Sequence, residues 1–273
     1  EALQYGVRHK MSFVQYKDVP DEVFSVKEEM HMLQVLREAL KAGRISPYFQ
    51  GIYDNRTGEI NLYEALMRIQ DEEGKLYFPG QFLPVAKDYN LYETLSQLMV
   101  KNVMEMFRDK DVKVSINLNV QDIYDRDLLR TIFRGLKNAA HPENFVFELV
   151  ESEEVSDYQF IKQFADSVHA YGAKVAIDDF GSGFSSLMHI IRLDPDILKL
   201  DGAIIKEIGN DEKCREFVEL INEWCKRQKK EIVAEFVENG EIQQVMEEIG
   251  ITYSQGYYHS KPQKWEDFAK EGA

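Results

Sequence analysis

The feature that most constrains the fold of this chain is a regular alternation of short apolar segments with helical segments. Such alternation is typical of a parallel sheet with crossover helices, and eight strands in 273 residues favour a closed barrel. The pattern predicts strands near Pro47–Ile52, Ile60–Met67, Val112–Asn119, Phe145–Val150, Lys174–Asp178, Ile197–Asp201, Glu231–Phe236 and Tyr253–Gln255. Helices are predicted at Lys27–Ala42, Leu91–Phe107, Arg126–Asn138, Tyr158–Tyr171, Asp211–Gln228 and Ile242–Ile249.

One connection departs from this alternation. Between Ile52 and Ile60 the chain offers only Tyr53–Glu59, which is too short for a crossover helix and suits a hairpin turn. The first strand should therefore run antiparallel to the second. The predicted fold is of the α/β class, a TIM-like (β/α)₈ barrel whose first strand is antiparallel to the others.

Composition limits the partners. The formal net charge is −15 and the sequence pI is near 4.9, so no basic surface is expected for duplex nucleic acid or an anionic membrane. No apolar run is long enough to span a bilayer. A small phosphorylated substrate stays compatible with this charge, because bound metal ions would invert the local potential. Cys214 and Cys225 are eleven positions apart on one predicted helix, which favours reduced thiols and a cytoplasmic protein.

Polar residues interrupt the predicted strands, most of them near the C-terminal ends, where barrel enzymes gather their active-site groups. Taken alone, Asp178–Asp179 fits an Asp-rich turn as well as a cation site. Five acids converging on one rim would repel one another without bound cations, and oxygen ligands suit Mg²⁺ or Mn²⁺ better than zinc. The residues are Gln50, Glu64, Asn117, Glu148, Asp178, Asp179, Lys199, Glu235 and Gln255.

These residues carry a resemblance to a known family. Tyr63–Arg68 (YEALMR) resembles the signature of the EAL domains, bacterial phosphodiesterases of cyclic di-GMP. Further matching blocks follow in order from about Lys27 to the C-terminus: Tyr48–Gln50, Phe82–Ala86, Asp178–Leu187, Ile197–Asp201, Val233–Glu238 and Gln255–Tyr258. The family's barrel also has an antiparallel first strand, in agreement with the short connection.

The resemblance implies a role for each matching residue. Two divalent metals, Mg²⁺ or Mn²⁺, are implied, with Asp178 bridging them. The implied metal ligands are Glu64, Asn117, Glu148, Asp178, Asp179 and Glu235. Lys199, Glu235 and Glu64 are the implied catalytic residues, Lys199 beside the attacking water; the structural alternative for Lys199 is an ion pair with Asp201.

Other matches imply contacts around the metals. Substrate binding is assigned to Gln50, Arg68, Asp201 and Gln255. Glu238 and Gln255 are assigned to orienting the site. The loop after the fifth predicted strand includes Gly181 and Gly183, and Glu151 is expected to steady it.

The implied activity is hydrolysis of cyclic di-GMP to linear pGpG by two-metal activation of water. The alternative is a non-catalytic receptor that binds cyclic di-GMP and signals through a partner or a fused domain. A homodimer is expected, with contacts around Gly181–His189. Neither duplex nucleic acid nor a membrane is expected to contact this domain, although a membrane anchor elsewhere in the parent protein stays open.

Residues 1–22 are expected to be a linker and the tail of an upstream domain, which weakly resembles a GGDEF diguanylate cyclase. The phosphodiesterase domain is expected at 23–273. Some positions depart from the family pattern: Gly51 replaces a proline, Ile69 a tryptophan, Gly202 an arginine and Phe236 a glycine. Phe236 is the most awkward departure, because its bulk adjoins Glu235. None of the departures removes an implied metal ligand, so they are interpreted as tuning the site.

Overall fold

A computed structural model describes residues 26–150, 158–181 and 193–271, which form two compact units. The first unit is drawn from 26–46 and 67–92, and the second from 47–66 and 93–271. The strands are β1 (Ile45–Asp54), β2 (Glu59–Gln70), β3 (Leu76–Tyr77), β4 (Lys113–Asn119), β5 (Phe145–Val150), β6 (Lys174–Phe180), β7 (Ile197–Leu200), β8 (Glu231–Ala234) and β9 (Tyr253–Ser254). The helices are α1 (Val26–Ala42), α2 (Pro79–Asp88), α3 (Tyr92–Phe107), α4 (Val120–Tyr124), α5 (Arg126–Asn138), α6 (Tyr158–His169), α7 (Gly202–Glu207), α8 (Glu212–Arg227), α9 (Gly240–Ile249) and α10 (Trp265–Glu271).

Eight of these strands close into a barrel. The order is β1-β9-β8-β7-β6-β5-β4-β2, and pairing of β1 with β2 closes the ring. Neighbours from β2 through β4 to β9 are parallel, whereas β1 is antiparallel to β9, with Tyr53 opposite Ser254. The predicted fold class and the antiparallel first strand are therefore confirmed, and all eight predicted strands and all six predicted helices are present.

A layer of buried side chains fills the inside of the barrel. It consists of Ile52, Leu62, Val146, Ala176, Ile197, Val233 and Tyr253. Because side chains alternate between the two faces of a strand, residues two positions along from this layer also point inward. This register decides which polar residues meet at the rim.

The first unit contains α1, α2, β3 and the adjoining ends of β1 and β2. The helices α1 and α2 pack together, and their residues Leu36, Ala39, Phe82 and Ala86 are fully buried. The periodicity did not predict α2, because its segment contains Pro79, Gly80 and Pro84. Pro79 nevertheless suits the first turn of a helix, where a backbone N–H has no partner to lose.

Among the described helices, none combines the length and apolarity needed to cross a membrane. Both cysteines are free thiols, as predicted. The predicted boundary between residues 22 and 23 falls outside the described residues, so it stays a prediction.

Candidate functional site

The barrel register brings the polar residues of separate strands to one rim. On the parallel strands, five residues of the predicted site lie two positions after a residue of the buried layer: Glu64, Glu148, Asp178, Lys199 and Glu235. Asn117 lies level with Glu148 on the neighbouring strand. Gln255 likewise follows Tyr253 by two positions. Gln50 precedes Ile52 by two, because β1 runs in the opposite direction. Because β1 is antiparallel, a residue two positions before the buried layer on β1 lies at the same end of the barrel as residues two positions after it on the parallel strands. Gln50 therefore lies at the rim with the other site residues.

Lys199 lies at the centre of this rim and is almost completely buried, with 1% of its surface exposed. Its Nζ lies 2.7 Å from Glu148 Oε2, 2.8 Å from Glu235 Oε1 and 2.9 Å from Asp178 Oδ1. Glu64 Oε2 is slightly farther away, at 3.6 Å. The structural alternative, an ion pair between Lys199 and Asp201, is not observed among these contacts.

The charges at the rim are unbalanced, since one ammonium group faces four carboxylates. Burial lowers the pKa of Lys199, but the surrounding carboxylates outweigh this effect and raise it well above the usual value. Burial raises the pKa of Glu148 and of Glu235, and Lys199 offsets only part of that rise. Additional positive charge would therefore favour the ionised form of every carboxylate here.

Glu64 is held by amide groups. Its Oε1 accepts a hydrogen bond from Asn117 Nδ2 at 2.5 Å, and its Oε2 accepts one from Gln255 Nε2 at 2.5 Å. Gln255 Nε2 also lies 3.2 Å from Gln50 Oε1. Gln50 in turn donates to the carbonyl of Ser260 at 2.9 Å. Nothing in the sequence singled out Ser260, because it lies 210 positions from Gln50 and its contact uses the backbone.

A kink in β6 allows two adjacent aspartates to face one point. Consecutive residues of a regular strand point to opposite faces. Between Ile177 and Phe180 the register of β6 against β7 shifts, and Asp179 has a left-handed φ of 56°. As a result, carboxylate oxygens of Asp178, Asp179 and Glu235 lie within 4.8 Å of one another.

Asp179 is also close to a fourth acid, Asp201. Burial raises the pKa of Asp179 to about 6, and the neighbouring carboxylates of Asp178 and Asp201 add to the rise. Asp201 itself caps α7, with Oδ1 accepting a hydrogen bond from the Ala203 N–H at 2.8 Å.

Two buried oxygens at the rim have no hydrogen-bond donor. One is Asp178 Oδ1, which is near the Lys199 ammonium but makes no aligned hydrogen bond to it; the other is Gln255 Oε1. Orphaned buried oxygens of this kind fit an oxygen-coordinated cation. The Asp178–Asp179–Glu235 group therefore suits a divalent metal, and such an ion would lower the raised pKa values of Asp179 and Glu235.

The remaining predicted residues lie elsewhere. Arg68 belongs to the first unit, where its guanidinium lies 4.8 Å from the centroid of the Phe78 ring. Glu238 is exposed. Gly181 has a φ of 99° and no room for a side chain beside Ile204. Glu151 and Gly183 lie outside the described residues, so their roles, like those of the other site residues, stay predictions.

Comparison with known families adds an independent observation. The family model described as the EAL domain matches residues 33–262. The cyclic di-GMP phosphodiesterase PdeF of Escherichia coli is 27% identical over 252 residues, covering 90% of this chain and 34% of that protein. The cyclic di-GMP phosphodiesterase PdeA of Borreliella burgdorferi is 29% identical over 254 residues, covering 91% of this chain and 38% of that protein. This chain thus spans about a third of the length of these relatives.

Solved structures share the fold. The PaMucR phosphodiesterase in complex with c-di-GMP superimposes with a TM-score of 0.79 at 26% identity, covering 87% of this chain and 99% of that one. The FimX EAL domain of Pseudomonas aeruginosa bound to c-di-GMP gives a TM-score of 0.75 at 26% identity, covering 85% and 96%. Both comparisons agree with the barrel described above.

Proposed function

The chain belongs to the EAL domain family, and from this premise we propose that it is a cyclic di-GMP phosphodiesterase. It opens one phosphodiester bond of the cyclic dinucleotide and releases linear pGpG. The observation that carries the proposal is the complete set of rim residues around Lys199, whose Nζ lies within 3.0 Å of three carboxylates. The names of the relatives that bind or cleave cyclic di-GMP support the same substrate.

The residues that would hold two divalent metals, Mg²⁺ or Mn²⁺, are Glu64, Asn117, Glu148, Asp178, Asp179 and Glu235. When bound, such a metal pair supplies positive charge that activates water and stabilises the departing oxygen. The 4.8 Å grouping of Asp178, Asp179 and Glu235 and the excess of carboxylates around Lys199 support this assignment.

Two side chains of the rim then act on protons and charge. Glu235, whose Oε1 lies 2.8 Å from Lys199 Nζ, is the proposed base that accepts a proton from the attacking water. The Lys199 ammonium holds three carboxylates in place and stabilises the negative charge that develops on the phosphoryl oxygens. Gln50, Arg68, Asp201 and Gln255 are the proposed substrate contacts.

The alternative function is a receptor that binds cyclic di-GMP without cleaving it. We favour the enzyme because all six proposed metal ligands and Lys199 are retained in the chain and lie at one end of the barrel. We also propose that the protein acts in the cytoplasm as a homodimer and that a GGDEF-type domain precedes this domain in the chain. Most of the expected dimer segment, 181–189, lies outside the described residues.

The test is turnover of cyclic di-GMP in the presence of Mg²⁺ or Mn²⁺, with chromatographic detection of pGpG. Glu64→Ala and Lys199→Ala should each lower kcat by roughly 10²-fold or more, because each removes a group from the reacting centre. The matched control is Glu212→Ala, because Glu212 is an exposed glutamate at the start of α8. This substitution should leave kcat unchanged. Tight binding of cyclic di-GMP without any pGpG would establish the receptor instead.

A further inference from the structure

Phe236 combines an unusual backbone conformation with an unusual exposure. Its φ is 56°, in the left-handed region that favours glycine and is uncommon for bulky residues. Despite being apolar and aromatic, it leaves 48% of its surface exposed. Neither feature is explained by packing in the core, because about half of the side chain lies outside it.

The ring is accommodated by a second departure from the family pattern. A Cβ placed on Gly202 would lie 2.2 Å from Phe236 Cδ2 and 2.5 Å from its Cγ, so no larger residue fits at 202 while the ring is present. Lys206, one turn further along α7, places its Nζ 4.5 Å from the ring centroid. Two departures that are 34 positions apart in the sequence therefore meet in one contact, which holds the ring in place.

This contact borders the proposed reaction centre. Phe236 directly follows Glu235, and Gly202 directly follows Asp201, whose carboxylate neighbours Asp179. With Phe236 in place, Glu235 Oε1 lies 2.8 Å from Lys199 Nζ. The exposed ring thus lies beside the proposed site while Glu235 keeps its contact with Lys199.

We propose that Phe236 is a stacking surface for a planar purine base of the substrate. The inference rests on the proposed function, which supplies a substrate with two guanine bases beside the phosphodiester. An exposed aromatic face attracts any base through its π-surface, and a fixed ring loses little freedom on binding. Gly202 provides the room for the ring, and Lys206 fixes its orientation.

The experiment compares steady-state constants and equilibrium binding for substitutions that separate the ring from the backbone. Phe236→Leu keeps an apolar branched side chain but removes the π-surface, and should raise KM and the Kd for cyclic di-GMP about tenfold, with kcat within about twofold. Phe236→Trp should keep both constants near those of the unmodified protein. Gly202→Ala should raise KM as well, because the added Cβ displaces the ring without removing it.

The matched control is Tyr171→Leu. Tyr171 is an exposed aromatic residue, 37% exposed, located after α6 at the opposite end of the strands. Its substitution should change neither KM nor Kd. Thermal unfolding of each variant checks that the fold is intact.

The two proposals fail in different ways. If the unmodified protein turns over cyclic di-GMP and Phe236→Leu has the same KM and Kd, the stacking role is wrong and the proposed function stands. A fall in kcat at unchanged KM would also overturn stacking, since it would show that the ring positions Glu235 instead. If the unmodified protein neither binds nor cleaves cyclic di-GMP, the proposed function fails, and the base-stacking role fails with it.

Discussion

At the scale of single residues, charge imbalance distinguishes the two ends of the barrel. At the rim, Lys199 is outnumbered by carboxylates, and burial raises the pKa of Glu148 and of Glu235 because Lys199 offsets only part of that effect. At the β1–β2 turn, by contrast, a buried carboxylate is compensated by hydrogen-bond donors. Asp54 is 1% exposed, and its two oxygens accept hydrogen bonds from Arg56 and Asn61. The proposed role of the rim is to bind cations, whereas the hydrogen bonds of Asp54 stabilise the fold.

The Asp54 carboxylate should make stability depend on pH. Burial raises its pKa, but the hydrogen bonds from Arg56 and Asn61 outweigh burial and lower the pKa to about 2. A lowered pKa contributes stability that is complete above about pH 5 and is lost as the pH falls towards 2. Because Arg56 is largely exposed, we expect Asp54→Asn to lower the free energy of unfolding by only about 1–2 kcal/mol at pH 7.

Urea unfolding at pH 7, 5 and 3 measures this contribution. The difference between the unmodified protein and Asp54→Asn should shrink by roughly half between pH 5 and pH 3. Asp109→Asn, which removes a fully exposed partner of Arg108, serves as the control and should have no measurable effect. A difference for Asp54→Asn that grows on acidification would contradict the assignment.

At the scale of elements, the rim depends on how short strands end. β8 and β9 have four and two residues, so the segments that follow them position Glu235 and Gln255. These segments are joined by a hydrogen bond from the Val237 N–H to the Gln255 carbonyl at 3.0 Å. Gly256 lies against the same backbone, where a Cβ would come 2.0 Å from Val237 O.

Gly256→Ala should therefore be destabilising. The clash is with backbone atoms, which cannot move aside as the end of a side chain can, and we expect a loss of about 1–3 kcal/mol in the free energy of unfolding. The activity should fall too, because Gln255 holds Glu64. Chemical denaturation compares the free energies of unfolding of Gly256→Ala and Gly209→Ala. Gly209→Ala is the control, because no atom lies within 4 Å of a Cβ added at Gly209. Equal stability of the two variants would show that the close approach is not restrictive.

At the scale of the whole molecule, the fold carries a net charge of −15 and concentrates acids at one end of a barrel. Self-repulsion of this kind destabilises the compact state, and ions bound only by the folded chain offset it. Divalent cations should therefore stabilise the protein as well as support its proposed activity.

Thermal unfolding with and without Mn²⁺ tests this expectation separately from turnover. At a concentration about 100 times the Kd, binding contributes roughly 2.7 kcal/mol, which corresponds to a rise in Tm of roughly 5–10 °C for a barrel of this size. Asp179→Asn should lose most of the rise, whereas Glu212→Gln, an exposed substitution on α8, should retain it. Sodium chloride at matched ionic strength controls for screening, and an equal rise in that salt would argue against a specific site.

The sequence by itself determined the barrel, because the alternation of strands and helices repeats along the chain and the Tyr53–Glu59 connection is too short for a helix. It also identified the polar residues at the strand ends, since most of them interrupt an apolar strand near its C-terminal end. Helix α2 was not predicted, because its prolines and glycine are not typical of a helical segment.

Only the tertiary structure decided how these residues meet. The kink that brings Asp179 beside Asp178, the four carboxylates around Lys199 and the contact of Phe236 with Gly202 all depend on pairings between distant segments. The local pattern of apolar and polar residues indicates which face of a helix or strand a residue occupies. It does not report register, bulges or the space left by a missing side chain, because those are set by neighbours that the chain reaches only on folding.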